Sequence, residues 1–557
     1  MPRKIGGWLK LPPTSAFLGT CRALHDWVAL DGTTFMAVGT HKKLYLWQDG
    51  SKYDITPLAA SGNLANPFTT TIGLYTVEVA HAGHGRQVGD YVRFSGASAV
   101  GGITISGEYT VTSLNGANAY FITHTIAATS SAGPGGGAAV AYEYDISVGS
   151  DSSSTVSGWG TSTWSSGMWG VGTASSGFYS RIRIWSLQNW GEDLIASPRD
   201  GRMYLWDKTG GTSTRATLIN NSPTTTVRML VSAEDRHVLS LGSHDGSTTD
   251  RLLIRWCESE DYNTWTSTPT NSAGDIRLDS GSEILTGIRT RGETLVFTDV
   301  GAHSLQFVGA PFFYAVRQLG ESSSVISPNV VVDVNGIVYW MGQSDFFVYD
   351  GSLRTLPCDI WSEVFDNINR QQRDKCFAAR NQQFQEVWFF YPSDGASEVD
   401  RVAIYNYAEG HWTKGALART AFHDSSPVLG LPYGISTDGR LVKHESGVND
   451  DTSAMTGVYI ESHDMEIGEG QNFAHVSKAI PDFESLIGSV DLYLKVKRYP
   501  SDSSYTTKGP FTVDSTTSKV SLRARGRQVA LRVEAEAVSD DFIMGDWRLD
   551  IIDHGER

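Results

Sequence analysis

Two histidines three residues apart, His81 and His84 in the segment HAGH, have the spacing that lets two imidazoles approach one metal ion. No third ligand and no orienting carboxylate stands beside them in the sequence, so they read as two exposed turn histidines and the expectation is no metal site. Glycoside cleavage needs two carboxylates at a set separation, but among 61 acidic residues some pair always qualifies by spacing, so the sequence singles out none. The G-x-S-x-G nucleophile elbow and the G-K-[ST] phosphate loop are absent, which removes recognisable serine-hydrolase and P-loop chemistry. Cys21, Cys257, Cys358 and Cys376 stand far apart with no C-x-x-C, and read as reduced, mostly buried thiols. The expectation is therefore no catalytic residue, no cofactor and no enzyme. A net charge of -16 repels phosphate, which argues against tight nucleic-acid binding.

The elements that carry these residues are strands. The chain has 557 residues with 58 glycines, 16 tryptophans, 22 tyrosines and 22 phenylalanines, a composition that favours turns and strands over helices. Turn glycines followed by apolar residues fall at Gly201, Gly246, Gly292, Gly336, Gly395 and Gly439, at spacings of 45, 46, 44, 59 and 44. A period near 45 is that of a four-stranded propeller blade. WVALDGTTFMAVGTHKKLYLW repeats the pattern around Gly32, which makes seven candidate blades, with six also fitting. The long interval holds Ile360, Trp361, Val364, Phe365 and Ile368 at helical spacing, so a helix is expected over 359–375. Ser259, Asp261 and Trp265 in SEDYNTW approximate the S-x-D-x-G-x-T-W turn of sialidase propellers, with one residue missing and Asn263 where glycine belongs. Even a full copy of that turn is structural.

The expected architecture is all-β: a propeller over 1–56 and 146–452, a small inserted β domain over 57–145, and a C-terminal β-sandwich-like domain over 453–557. The insert alternates apolar and polar residues in YTVEVAHAGHGRQVGDYVRFSG and ends on SSAGPGGGAAV, read as a flexible tip loop. Within the propeller, a low-complexity loop over 150–178 carries Trp159, Trp164 and Trp169 at a spacing of five, which matches neither helix nor strand. Those tryptophans either pack locally or form a loop shaped by a partner or a channel. In the C-terminal domain, Arg523, Arg525, Arg527 and Arg532 make a basic patch on an acidic chain. They either pair with acidic neighbours or dock an acidic partner. The N-terminus lacks the apolar core of an export signal, and no stretch is long and apolar enough to span a membrane.

Several stretches, taken together, resemble the tail hub or nozzle proteins of short-tailed double-stranded DNA bacteriophages. They are LGTCRALHDWVALDGTTFMAVGTHKKLYLW at 18–47, IRIWSLQNWGEDLIASPRDGRMYLWD at 182–207, IVYWMGQSDFFVYDG at 337–351, the segment after Asp359, and 523–557. The insert resembles a module found inside such proteins. This resemblance implies a propeller-based subunit in a ring, six copies in the family's pattern, below the portal and adaptor. The ring would form the distal tube of the virion tail, through which DNA passes without specific binding. Tailspikes or fibres and a needle or plug would be its other partners, with assembly in the host cytoplasm. Six copies at -16 each would carry about -96, a lining that repels rather than holds DNA. The alternative is a glycan-binding or glycan-cleaving propeller, such as a receptor-binding tail protein, that stacks aromatic rings on sugars.

Overall fold

The computed structural model describes residues 2–12, 16–153, 181–232, 235–244, 246–426, 428–467 and 472–553. It is nearly all strand, with antiparallel sheets throughout and only short helical turns. The chain divides into two compact units, 12–441 and a second made of 1–11 with 442–557. Residues 1–11 group with the C-terminal residues in this division. Their strand Trp8–Lys10 pairs antiparallel with Val442, Lys443 and His444.

The 12–441 unit is a β-propeller carrying an inserted β domain. Six four-stranded sheets lie wholly within it, and Arg419–His423 pairs with Tyr433–Ser436 to open a seventh. The innermost strands are Cys21–Val28, Trp185–Trp190, Arg228–Val231, Ile284–Thr290, Val331–Val334, Phe377–Asn381 and Arg419–His423. Each lies against the next, and the last returns to the first, so the blades close a ring. Between sheets, Trp185, Trp206, Trp340 and Trp388 are fully buried. Burying one such ring stabilises the fold by roughly 1.5–3 kcal/mol or more from apolar area alone. Hairpins hold the strands in register: at Asn335-Gly336 both residues have positive φ, 54° and 91°, the twist that joins adjacent strands by a two-residue turn.

Two sequence expectations are corrected here. The helix expected over 359–375 is instead an α-helix at Trp361–Phe365 and a separate 3-10 turn at Arg370–Lys375. Asn369 breaks the run, because its side chain accepts from the Gln371 N–H and starts a new turn. Val364, Phe365 and Ile368 are still buried, as their spacing requires. The expected flexible tip of the insert contains an edge strand, Ala132–Gly135, paired with Phe68–Thr70. The insert is one eight-stranded curled sheet from Leu58–Leu64 to Val140–Asp145, closed over Phe68, Val79, Phe94, Tyr120 and Val140.

In the second unit, a five-stranded and a three-stranded sheet share a core of Val476, Leu492, Leu494, Leu522, Val529 and Val533. The strand Ser489–Lys497 alternates buried and half-buried residues along its length, the pattern of one face on a core. This is the expected sandwich-like domain.

Candidate functional site

The propeller axis is where seven strands converge, and the structure fills it with polar side chains. At the end reached by the last residues of the inner strands, hydrogen bonds run from blade to blade. His423 lies 3.0 Å from Asp26, whose other oxygen accepts from the Ser426 hydroxyl. His25 meets Asn189 through the Asn189 backbone N–H at 3.1 Å. Arg289 donates to the Val231 carbonyl at 3.1 Å, and Thr290 donates to Asp333 at 2.7 Å. Arg380 continues the belt, donating to the Asp333 carbonyl at 3.2 Å and to Asp424 at 2.6 Å. Beside the belt an open pocket of about 330 Å³ is lined by Gln188, Asn189, Trp190, Arg236 and Arg289. Arg236 covers the Trp190 ring at 4.7 Å.

At the opposite end the axis is spanned. Arg22 donates to both Glu398 oxygens at 2.7 and 2.6 Å, and to Asp151 at 3.1 Å. The Arg22 carbonyl accepts from the Asn329 amide at 2.8 Å, and the Asn329 oxygen accepts from Arg228 at 3.1 Å. These residues come from the first, fifth and third blades, which are not neighbours, so Asn329 bridges the hole itself. Burial, with the nearby Arg199 charge, pushes the Arg228 guanidinium down to about 10. Among the described residues, this bridge lies across the axis at that end.

The belt contains a pH-sensitive joint. Burial disfavours charge on His423, but the hydrogen bond and charge of Asp26 outweigh it and raise the imidazole above its ordinary value. Burial and the His423 charge push the adjacent His25 down to about 4. Stability from the His423–Asp26 pair is thus fully present below the unfolded histidine value near 6.5, and is lost as pH rises through the raised folded value. His423→Gln is expected to cost roughly 1.5–3 kcal/mol at pH 6 and distinctly less at pH 9. Denaturant unfolding at both values checks this; an equal loss at the two would refute the ionic account.

A buried lysine joins the insert to the propeller. Lys43, whose side chain is 1% exposed, places its ammonium 3.0 Å from Asp54, 2.7 Å from Glu108 and 2.5 Å from Asp145. Arg215, from the second blade, adds a contact to Asp54 at 2.7 Å and one to Asp145 at 3.6 Å. Three carboxylates converging this way would suit a divalent cation. Here the lysine ammonium already stands at their centre and, with Arg215 and Arg93 beside it, answers their charge.

No family model matches the chain. No curated protein matches it either. Among solved structures it is similar to the BBS1N chain of a BBS1N–ARL6DN complex, at 10% identity and a TM-score of 0.27, covering 81% of this chain and 99% of that one. It is also similar to the phage phi92 endosialidase, at 13% identity and a TM-score of 0.19, covering 80% of this chain and 60% of that one. A third is apo AztD from Citrobacter koseri, at 8% identity and a TM-score of 0.30, covering 72% and 88%. At these values the neighbours say nothing about what this chain binds.

The residues singled out by sequence fall in different places. Trp159, Trp164 and Trp169 lie outside the described residues. His81 and His84 are not free turn histidines: His81 shares a 2.6 Å hydrogen bond with Tyr144, and His84, 6% exposed, accepts from the Arg86 N–H at 2.9 Å. Both are held by the insert's tyrosine cluster, because the turn folds back onto the sheet. Asp261 accepts from Asn263 and Thr264, and Trp265 is buried, so SEDYNTW is a structural turn. Burial pushes the Cys21 and Cys257 thiols up to about 12, which leaves them poor nucleophiles. Of the arginine patch, Arg532 is paired with Glu461 at 3.1 Å and Glu534 at 2.5 Å. Arg525 and Arg527 instead converge on Phe473, both at 5.1 Å, while Arg523 points to solvent from the same strand. The sequence reading missed Arg22, Lys43, Arg228 and Asn329, whose partners lie up to hundreds of residues away and leave no spacing signal.

Proposed function

We propose that this chain is a structural protein of a short-tailed bacteriophage tail, a nozzle or hub subunit that assembles in a ring around the DNA exit path and anchors tailspikes or fibres. The observation that carries the reading is the spanned axis. Asn329, held between Arg22 and Arg228, fills the hole of the propeller, so any conduit must lie between subunits rather than within one. The Lys43 node supports it, because a rigidly held insert is what a load-bearing ring needs. Buried and half-buried carboxylates of the axis and the node, such as Asp26, Asp145, Glu398 and Asp424, are engaged by cations, which favours a mechanical part over a catalyst. The acidic charge of the chain suits a lining that lets DNA pass. Closed ring symmetry would repeat each modest interface and so stabilise the whole.

Negative-stain imaging with light scattering tests this, alone and with portal and adaptor proteins added. Expected are rings with a central hole and, for six subunits of 60.7 kDa, a mass of about 364 kDa. A particle that stays monomeric even on the portal and adaptor would end the reading.

One observation favours a second reading, a glycan-binding propeller. The axial pocket combines an indole with two guanidiniums and two amides, a set that suits an acidic sugar, and no carboxylate lines it among the described residues. Binding without cleavage is the expectation there, and a glycan screen with Arg289→Ala as control distinguishes it.

A further inference from the structure

The C-terminal unit holds a group of cations that the ring reading leaves unused. Phe473, 6% exposed, has the guanidinium of Arg525 at 5.1 Å, Arg527 at 5.1 Å and Arg498 at 5.8 Å from its ring centre. Arg527 also lies 5.3 Å from the Tyr499 ring. A pocket of about 230 Å³ opens beside them, with Arg498, Lys508, Arg525 and Thr506 as its polar wall and Phe473, Val496 and Ala524 as its apolar one.

The cations of the neighbouring strands show what is unusual. Lys495 is paired with Glu461 at 2.7 Å, Lys497 with Asp464 at 2.7 Å, and Arg532 with Glu461 at 3.1 Å. Arg498, Lys508, Arg525 and Arg527 have no such carboxylate among the described residues, and the buried Arg527 Nε has no hydrogen-bond acceptor. Three guanidiniums around one ring, with Lys508 in the same pocket wall, repel one another, and cation–π contacts offset this only in part. On a chain of net charge -16, four cations together with no carboxylate partner among the described residues carry a cost that a ligand anion removes.

We propose that this pocket is a docking socket for an acidic segment of a partner polypeptide, its carboxylates on Arg498, Lys508 and Arg525 and its aliphatic stems on Phe473 and Val496. A polypeptide fits better than nucleic acid, for two reasons. The cations surround a single spot rather than tracking a backbone, and the floor is apolar, which suits the methylenes of a glutamate side chain. The socket does not depend on ring formation, so the two can fail separately.

The test is titration of the full chain with a hexaglutamate peptide at low salt, against the variants R525Q, K508Q and R523Q. Arg525, Lys508 and Arg523 are solvent-facing, so the fold tolerates all three changes. Expected is binding that weakens about tenfold or more in R525Q and in K508Q, falls with salt, and is unchanged in R523Q. Absence of peptide binding, or an equal loss in R523Q, would overturn the proposal. Inorganic phosphate competing at equal concentration would reduce the socket to a small-anion site. Duplex DNA binding that is lost in R525Q would assign it to nucleic acid, and a change in particle mass in R525Q would assign it to a second copy of this chain.

Discussion

Replacing Lys43 by methionine should destabilise the 12–441 unit by roughly 3–5 kcal/mol at neutral pH, the cost of removing one partner from a buried ionic group. Methionine keeps most of the volume, so the loss reports charge rather than a cavity. Asp145, with a side chain 5% exposed, and Asp54, at 22%, would be left facing Glu108 with only Arg215 to answer them. In the native protein burial pushes the Asp54 carboxyl up, while Lys43 and Arg215 more than offset this and hold it below its ordinary value. Without Lys43 the carboxylates repel and take up protons more readily, so their folded values rise. A carboxyl whose folded value is raised stabilises at low pH and loses that contribution as pH rises. The damage should thus be larger at pH 8 than at pH 5, and K43M with D145N should recover part of it. Urea unfolding at both values is the measurement, and a loss under about 1 kcal/mol at pH 8 would show that the node is not a structural fixing point.

How far the sequence reaches follows from the same residues. The repeat near 45 is real, yet its markers fall on two different hairpins. Gly32, Gly292 and Gly336 turn the inner strand into the second, whereas Gly201, Gly246, Gly395 and Gly439 turn the second into the third. The period survives because each blade uses both turns, and any Asp-Gly or Asn-Gly suits either. The interval of 59 is long partly for this reason, since Gly336 and Gly395 mark different turns, and only partly because of the helical segment between sheets. The strands themselves were legible from β-branched and aromatic runs such as IVYWM and EVWFFY, because sheets buried on both faces read as continuous apolar stretches.

The polar interior was far less legible. Lys43 precedes the buried strand Leu44–Gln48 and looks like a loop cation, since its carboxylates come from residues 54, 108 and 145. Asn329 meets a carbonyl 307 residues away in sequence. Nothing local encodes such contacts, because blade closure brings together residues that only the ring makes neighbours. The C-terminal arginines were visible as a basic run, but alternation along the strand decides their fates. Arg523 and Arg525 share the exposed face of Val520–Gly526, and only Arg525 reaches Phe473.

Arg22→Met is the second substitution with a large expected effect, again about 3–5 kcal/mol, because Glu398 would lose a two-pronged partner inside the ring. Burial pushes Glu398 up, but the hydrogen bonds and charge of Arg22 outweigh it and hold the carboxyl below its ordinary value. A depressed carboxyl contributes stability that is present above the unfolded value, about 4.3 for Glu, and lost as pH falls through the folded one. The gap between native protein and R22M should therefore be full at pH 7 and shrink below about pH 4. Thermal or urea unfolding across that range checks it, and a gap that persists undiminished in acid would assign the loss to packing. The bridge across the axis behaves differently, because Asn329 donates to the backbone carbonyl of Arg22, which the substitution leaves in place. Asn329→Ala instead strands the buried Arg228 guanidinium without that acceptor, at about 1–3 kcal/mol, while the Arg22–Glu398 pair persists. Two substitutions a few ångströms apart thus separate the seam between blades from the plug in the axis. Only the plug decides whether anything could pass through a single propeller.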